Sequence, residues 1–267
     1  MSTSIHPTAI VDSKASLGKG VKIGPNCLVG PKVVLGDYTE LISHAVVTGH
    51  TTMGAGNRLF PFSCIGQEPQ DLKYHGEDSE VIIGNNNTFR ENVTVNAGTE
   101  GGGMVTRIGD NCLIMAYAHV AHDCILGNEV IMANCATLAG HVTVDDGAII
   151  GGLAAIHQFL HIGKYCMIGG TAGVNKNVPP FCMVSGGYRP TLVGLNSIGL
   201  KRRGFSTDQI RCLKDIYRLL LQEKGKREEK FEAAEERAGS DGQARFMVEF
   251  IRNAKGGMTM HRQDADD

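Results

Sequence analysis

Five of the ten histidines in this 267-residue chain crowd into residues 119–161, and one is followed directly by an acid, His122-Asp123. An imidazole that titrates near neutrality suits general-base work. A neighbouring carboxylate would fix its tautomer and stabilise the imidazolium, as the acid does in a catalytic triad. No serine or cysteine is set by a clear motif as a nucleophile. A substrate hydroxyl activated by the base therefore suits this chain better than a covalent enzyme intermediate. The eight cysteines include no CxxC pair, and Cys27, Cys112, Cys124 and Cys166 recur where Ala, Thr and Val otherwise stand. They read as small buried thiols of a reducing compartment, and no metal site is predicted.

Which of these side chains can meet depends on the elements that carry them, and those are written in a period of six. Every sixth residue from Val11 to Ile65 is aliphatic, and a short run holds Ile83, Phe89 and Val95. A third run passes from Ile108 through Val120, Leu138 and Ile156 to Val174 without a miss. With about half of an ordinary chain apolar, chance does not produce this. Position two of the hexad is often Gly or Asp, and position five is small or β-branched. No α-helix uses a period of six, whereas short strands joined by tight corners do. Three hexads, eighteen residues, would close one triangular coil, with coils stacked at the strand spacing of about 4.7–4.9 Å. A composition of 35 Gly, no Trp and 6% aromatics agrees with such a parallel β-helix.

Residues eighteen apart are then vertical neighbours. His122, Gly140 and Gln158 form one column, flanked by Ala121, Ala139 and His157 on one side and Asp123, His141 and Phe159 on the other. His122, His141 and His157 are thus expected to cluster beside Asp123. Gly140 could present a backbone N–H to a developing oxyanion. For any single histidine a hydrogen bond between coils is an equally good account; for the whole cluster a site is the better one. Loops are expected where the pattern lapses, near 66–82 and 96–107, and loops on a rigid scaffold are the usual carriers of function. After Val174 the repeat fades. Ser206 and Gln209 form a capping box, and helices are expected from there, over 227–238 and over 242–253. The chain divides into a β-helix domain, 1–195, and a helical domain, 196–267, with a frayed tail from 255.

The segments QDLKY (70–74), AHVAHDC (118–124), LAGHVTVDD (138–146), IGGLAAIHQF (150–159) and GLNSIGLKRRGF (194–205) resemble the LpxA-type UDP-N-acetylglucosamine O-acyltransferases over roughly residues 6–254. The resemblance supplies the handedness: a mainly β fold, a left-handed parallel β-helix with a C-terminal α-helical domain. It implies transfer of a 3-hydroxyacyl chain from acyl carrier protein to the 3-hydroxyl of UDP-N-acetylglucosamine, the first step of lipid A biosynthesis. His122 would be the general base, Asp123 its partner and Gly140 the oxyanion donor. Gln70, Asp71 and Lys73 would hold the sugar and phosphopantetheine side, and His119, His141, His157 and Gln158 would line the cleft. Asn196, Arg202 and Arg203 would meet the uridine and diphosphate, and Gly170 would leave room for an acyl tail of hydroxymyristoyl class. The family is a homotrimer with sites between subunits, and it needs no cofactor beyond the phosphopantetheine of the donor.

Asn96 stands where His is expected in this family and Ile198 where an acid is common, so the 3-amino analogue of the acceptor stays open. The related glucosamine N-acyltransferases carry an extra N-terminal domain, for which hexads beginning at Val11 leave no room. A hexapeptide-repeat metalloenzyme of the carbonic anhydrase type is the alternative from another class. A net charge of −2 gives no signature for nucleic acid or an anionic membrane surface. No stretch has the length or apolarity to span a bilayer and no signal peptide is legible, so the chain is expected in the cytoplasm.

Overall fold

The computed structural model describes residues 2–261. The chain winds as a left-handed parallel β-helix whose two-residue strands stack into three sheets of eleven, nine and eight strands. Register between neighbouring strands is eighteen residues over most of the coil, as in Leu113↔Ile131↔Ile149↔Met167. Successive strands visit the three sheets in turn. From Ile23 to Val174 every aliphatic hexad residue named above is no more than 2% exposed. Burial of each such side chain is worth about 1.5–3 kcal/mol.

Most corners contain one residue with positive φ, and from Asn111 to Thr171 these fall every sixth position. Three vertical edges result, called here after Tyr117, Asp123 and Glu129. The small fifth-position residues, including Cys27, Cys112, Cys124 and Cys166, are buried behind the bends. Burial pushes the Cys112 and Cys124 thiols up to about 11 and about 12, so they are inert near neutrality. Gly36 shows why the second position is small: a Cβ there would run into the backbone of Gly54 one coil on.

Both loops are shorter than the lapse in pattern suggested. The first coil detour occupies 68–79, because Glu80–Ile83 is already a strand, paired with His50–Met53 and Val105–Ile108. Met53 and Ile83 are register partners thirty residues apart, an excess of twelve over one coil. Twelve is two hexads, which is why the phase of the pattern survives. The second detour spans 97–104 and inserts seven, since Ile83 pairs with Ile108. Both detours leave from the edge that higher up carries Asp123, His141 and Phe159.

Four helices follow the coil: α1 (Ser197–Arg202), α2 (Thr207–Leu221), α3 (Arg227–Ala238) and α4 (Gly242–Asn253). The Ser206–Gln209 capping box is formed, and Leu213, Ile216, Tyr217 and Leu220 are buried beneath α2. The segment after 254 is not frayed where it is described. Met258 bridges Asn177, and the Thr259 N–H donates to the Asn177 carbonyl at 2.8 Å. Residues 262–267 of the expected tail lie outside the described residues. Among the described residues no helix is long and apolar enough to cross a membrane.

Leu138→Ala, in the middle of the inward ladder, is expected to lower stability by about 2–5 kcal/mol in equilibrium denaturation. Ile10→Ala, at a residue 68% exposed, should change it by less than about 0.5 kcal/mol. Equal losses would contradict a core confined to the hexad ladder.

Candidate active site

Corner residues on these edges donate their N–H to the carbonyl nineteen residues back: His141 to His122 at 3.1 Å, Phe159 to Gly140 at 3.2 Å. Asp123 is different. Below it the chain has detoured through 97–104, and its N–H meets the Thr106 hydroxyl at 2.8 Å instead. Its carboxylate is fully buried and accepts from the Thr99 N–H at 2.9 Å and the Thr99 hydroxyl at 2.6 Å. The remaining approach to Oδ2 belongs to His122 Nδ1, at 2.8 Å.

An ionised carboxylate only accepts, so Nδ1 carries the proton and Nε2 is left with its lone pair outward. Gly140 lies directly against this ring: a Cβ at that position would overlap the imidazole. Its N–H makes no hydrogen bond within the described residues. The backbone of Gly140 thus lies beside the Nε2 side of the His122 ring.

The other histidines divide. His141 packs edge-on to His122, with ring centroids 5.0 Å apart, and lies flat on Phe159 at 4.4 Å. His119 meets the Thr94 hydroxyl through Nδ1 at 2.7 Å. His157 is exposed and turns Nδ1 toward the Gln158 carbonyl at 3.3 Å; it has no ring contact or hydrogen bond with His122 or His141 among the described residues. Of the three clustered histidines expected, His122 and His141 are in direct ring contact. Burial holds His119 below the ordinary imidazole range, and the nearby His122 adds to this. Burial likewise lowers His141; Asp123 opposes it, and Asp71 and Lys73 act on the ring with opposite signs. The first loop thus brings its charged pair to the site.

His122, Asp123 and His141 place one ligand atom each within 4.8 Å of one another. Both imidazoles face the carboxylate through Nδ1, and the carboxylate is already filled by Thr99 and His122.

The remaining expected residues sit elsewhere on the prism. Gly170 is exposed on the Tyr117 edge, one residue before Thr171, which continues the column of Phe62, Tyr117 and Leu153, these three all more than half exposed. Arg203 lies on the Glu129 edge. It bonds the Glu129 carboxylate at 2.7 Å and the Gly147 carbonyl at 3.3 Å, with its guanidinium 4.5 Å from the Tyr165 ring centre. Arg202 and Ile198 are exposed on the same short helix. Asn196, expected to meet the nucleotide, is buried and caps α1: its Oδ1 accepts from Gly199 at 3.2 Å and its Nδ2 donates to the Tyr165 carbonyl at 3.0 Å. It fixes the helix that bears the arginines. Asn96 is also buried, its Nδ2 donating to the Glu68 carbonyl at 2.9 Å at the foot of the first loop.

Hexapeptide coils with a histidine–aspartate pair on one edge define a transferase of the hexapeptide-repeat class. Residues 106–140 match the family model for the bacterial transferase hexapeptide (six repeats), and residues 177–259 match domain 2 of the UDP-N-acetylglucosamine O-acyltransferases. The acyl-[acyl-carrier-protein]–UDP-N-acetylglucosamine O-acyltransferase of Thermodesulfovibrio yellowstonii is 50% identical over 254 residues, covering 95% of this chain and 98% of that one. The like-named protein of Verminephrobacter eiseniae is 47% identical, covering 83% and 84%. Among solved structures, the UDP-N-acetylglucosamine acyltransferase of Campylobacter jejuni superposes with a TM-score of 0.91 at 38% identity, covering 97% of this chain and all of the other. LpxA of Acinetobacter baumannii gives 0.91 at 37%, covering 96% and 99%. This chain belongs to the acyl-[acyl-carrier-protein]–UDP-N-acetylglucosamine O-acyltransferase family.

Because burial lowers both His119 and His141, the folded chain takes up their protons less readily than the unfolded chain. Their contribution is present above the ordinary value of 6.5 and is lost as the pH falls through it. The denaturation midpoint should drop between about pH 7.5 and about pH 5, and drop less in His141→Asn. Identical pH slopes for the two proteins would contradict the assignment.

Proposed function

We propose that the chain transfers a 3-hydroxyacyl group from acyl carrier protein to the 3-hydroxyl of UDP-N-acetylglucosamine, opening lipid A biosynthesis. The observation that carries this is the His122 ring, pinned through Nδ1 to Asp123 at 2.8 Å with Nε2 turned outward beside the unbonded Gly140 N–H. Nε2 takes the proton of the sugar hydroxyl as its oxygen attacks the thioester carbonyl. Asp123 stabilises the imidazolium, and the Gly140 N–H meets the oxyanion of the tetrahedral intermediate. Collapse breaks the carbon–sulfur bond, and the proton on Nε2 passes to the departing phosphopantetheine thiolate. The products are the ester and the free thiol of the carrier protein, with no further cofactor.

Gln70, Asp71 and Lys73 on the first loop, with His119, His141, His157 and Gln158 around the pair, would line the substrate cleft. Arg202 and Arg203 would meet the diphosphate, and Gly170 would admit the acyl tail. These groups occupy three different edges of one prism. A single chain cannot converge them, whereas a homotrimer can, by setting the Asp123 edge of one copy against the others. Clefts of about 640 Å³ beneath the first loop and about 450 Å³ between His161 and α4 are not lined by His122. A neighbouring copy would supply the missing wall. The reading involves neither nucleic acid nor membrane insertion, and it places the work in the cytoplasm, where the eight free thiols stay reduced.

His122→Ala should lower acyl transfer to UDP-N-acetylglucosamine by about 10²–10⁴-fold with the fold intact. A fully active variant would refute the base assignment. Arg202→Ala should be impaired separately. Mixed oligomers of the two variants should recover activity if base and arginine come from different copies; no recovery would sink the shared site.

A further inference from the structure

We propose that Thr99 is the positioning residue of the reaction: it fixes the Asp123 carboxylate, and through it the choice of His122 as the imidazole that Asp123 orients. This rests on His122 serving as general base. Asp123 Oδ2 has two imidazole nitrogens within reach, Nδ1 of His122 at 2.8 Å and Nδ1 of His141 at 3.8 Å. A carboxylate turns easily about its last torsion, so proximity alone does not decide between them.

Thr99 decides. Its N–H holds Oδ1 and its hydroxyl holds Oδ2, so one residue grips both oxygens and sets the plane of the group. Thr99 is itself 4% exposed and held in turn. Its carbonyl accepts from the Gly102 N–H at 3.0 Å and the Met104 N–H at 2.9 Å, which closes the turn at Glu100–Gly102. Gly102 lies on the carboxylate so closely that a Cβ there would collide with it. The second detour thus acts as a clamp built over one acid. Charge-assisted donors on both oxygens also draw negative charge away from the bond to His122, which tempers how strongly Asp123 holds the imidazolium.

Thr99→Val keeps the branch and volume and removes only the hydroxyl donor. We expect kcat to fall about 10- to 100-fold, with KM for donor and acceptor little changed. The acid limb of the kcat/KM profile should shift, because the carboxylate facing the imidazolium has lost both a donor and its fixed plane. Thr99→Ser restores the hydroxyl and should recover both. A role confined to folding would reduce the folded fraction and leave the limb in place. If Thr99→Val does not fold, Thr99→Ala is read against Thr99→Ser in the same way. A valine or alanine variant with native kcat and an unmoved limb overturns the proposal, as does a serine variant equally impaired. His122→Ala separates the two levels: an active His122→Ala overturns the base assignment and this inference together. An inactive one beside a native-like Thr99→Val overturns this inference alone.

Discussion

The whole molecule depends on the left-handed bend that each corner must make. Most of these bends, and all from Asn111 to Thr171, use a residue with positive φ, which costs an L-residue about 1–2 kcal/mol. Asn, Asp and Gly tolerate it best, yet the series from Asn111 includes Tyr117, Cys135, Leu153, Phe159, Tyr165 and Thr171. Repetition over-determines each bend. The corner N–H reaches a carbonyl one coil back, the flanking strands pair with both neighbours, and the inward aliphatic is sealed. Side chains at these bends point away from the prism, so their identities are free to answer to whatever lies outside.

Asp123 and His141 are two of these bend residues, at φ 58 and 62. Their stiffness comes from the scaffold and not from the site. The ring of His122, one residue before a bend, is held by a neighbour whose backbone has a single conformation available. The edge alone does not make chemistry, however. In the proposed reading it becomes a site because two loops leave the same edge beneath it, one placing Asp71 and Lys73 within electrostatic reach of His141, the other closing on Asp123.

Much of this was legible in the sequence because the coil turns a linear interval into a spatial one. Counting in eighteens put Gly140 against His122 and His141 beside Asp123 without any knowledge of side-chain contacts. Handedness and substrate came from family likeness, since a period of six is compatible with either hand. The interval lost its power wherever the chain left the coil. Thr99 and Gly102 sit in a glycine-rich detour with no period, and nothing local marks Thr99 as the partner of an acid twenty-four residues away. His157 was placed one column over from His122, but columns do not state which way an exposed ring turns. Asn196 was matched to a binding motif, yet its first duty is to cap the helix that follows. Residues 255–261 carry no pattern of their own and are tied to Asn177 on the coil.

The two detours lengthen the chain by twelve and seven residues, yet the strands above and below them remain in register. Stacked coils are therefore indifferent to how much chain departs from a corner, provided it returns to the next strand. A lineage can revise the walls of its substrate cleft by changing loop lengths at one edge while the inward ladder stays as it is. Ordinary globular cores seldom grant that freedom, because an inserted residue there shifts everything packed against it. This architecture keeps insertions local, and so leaves loop walls open to gradual editing while His122 and Asp123 stay where they are.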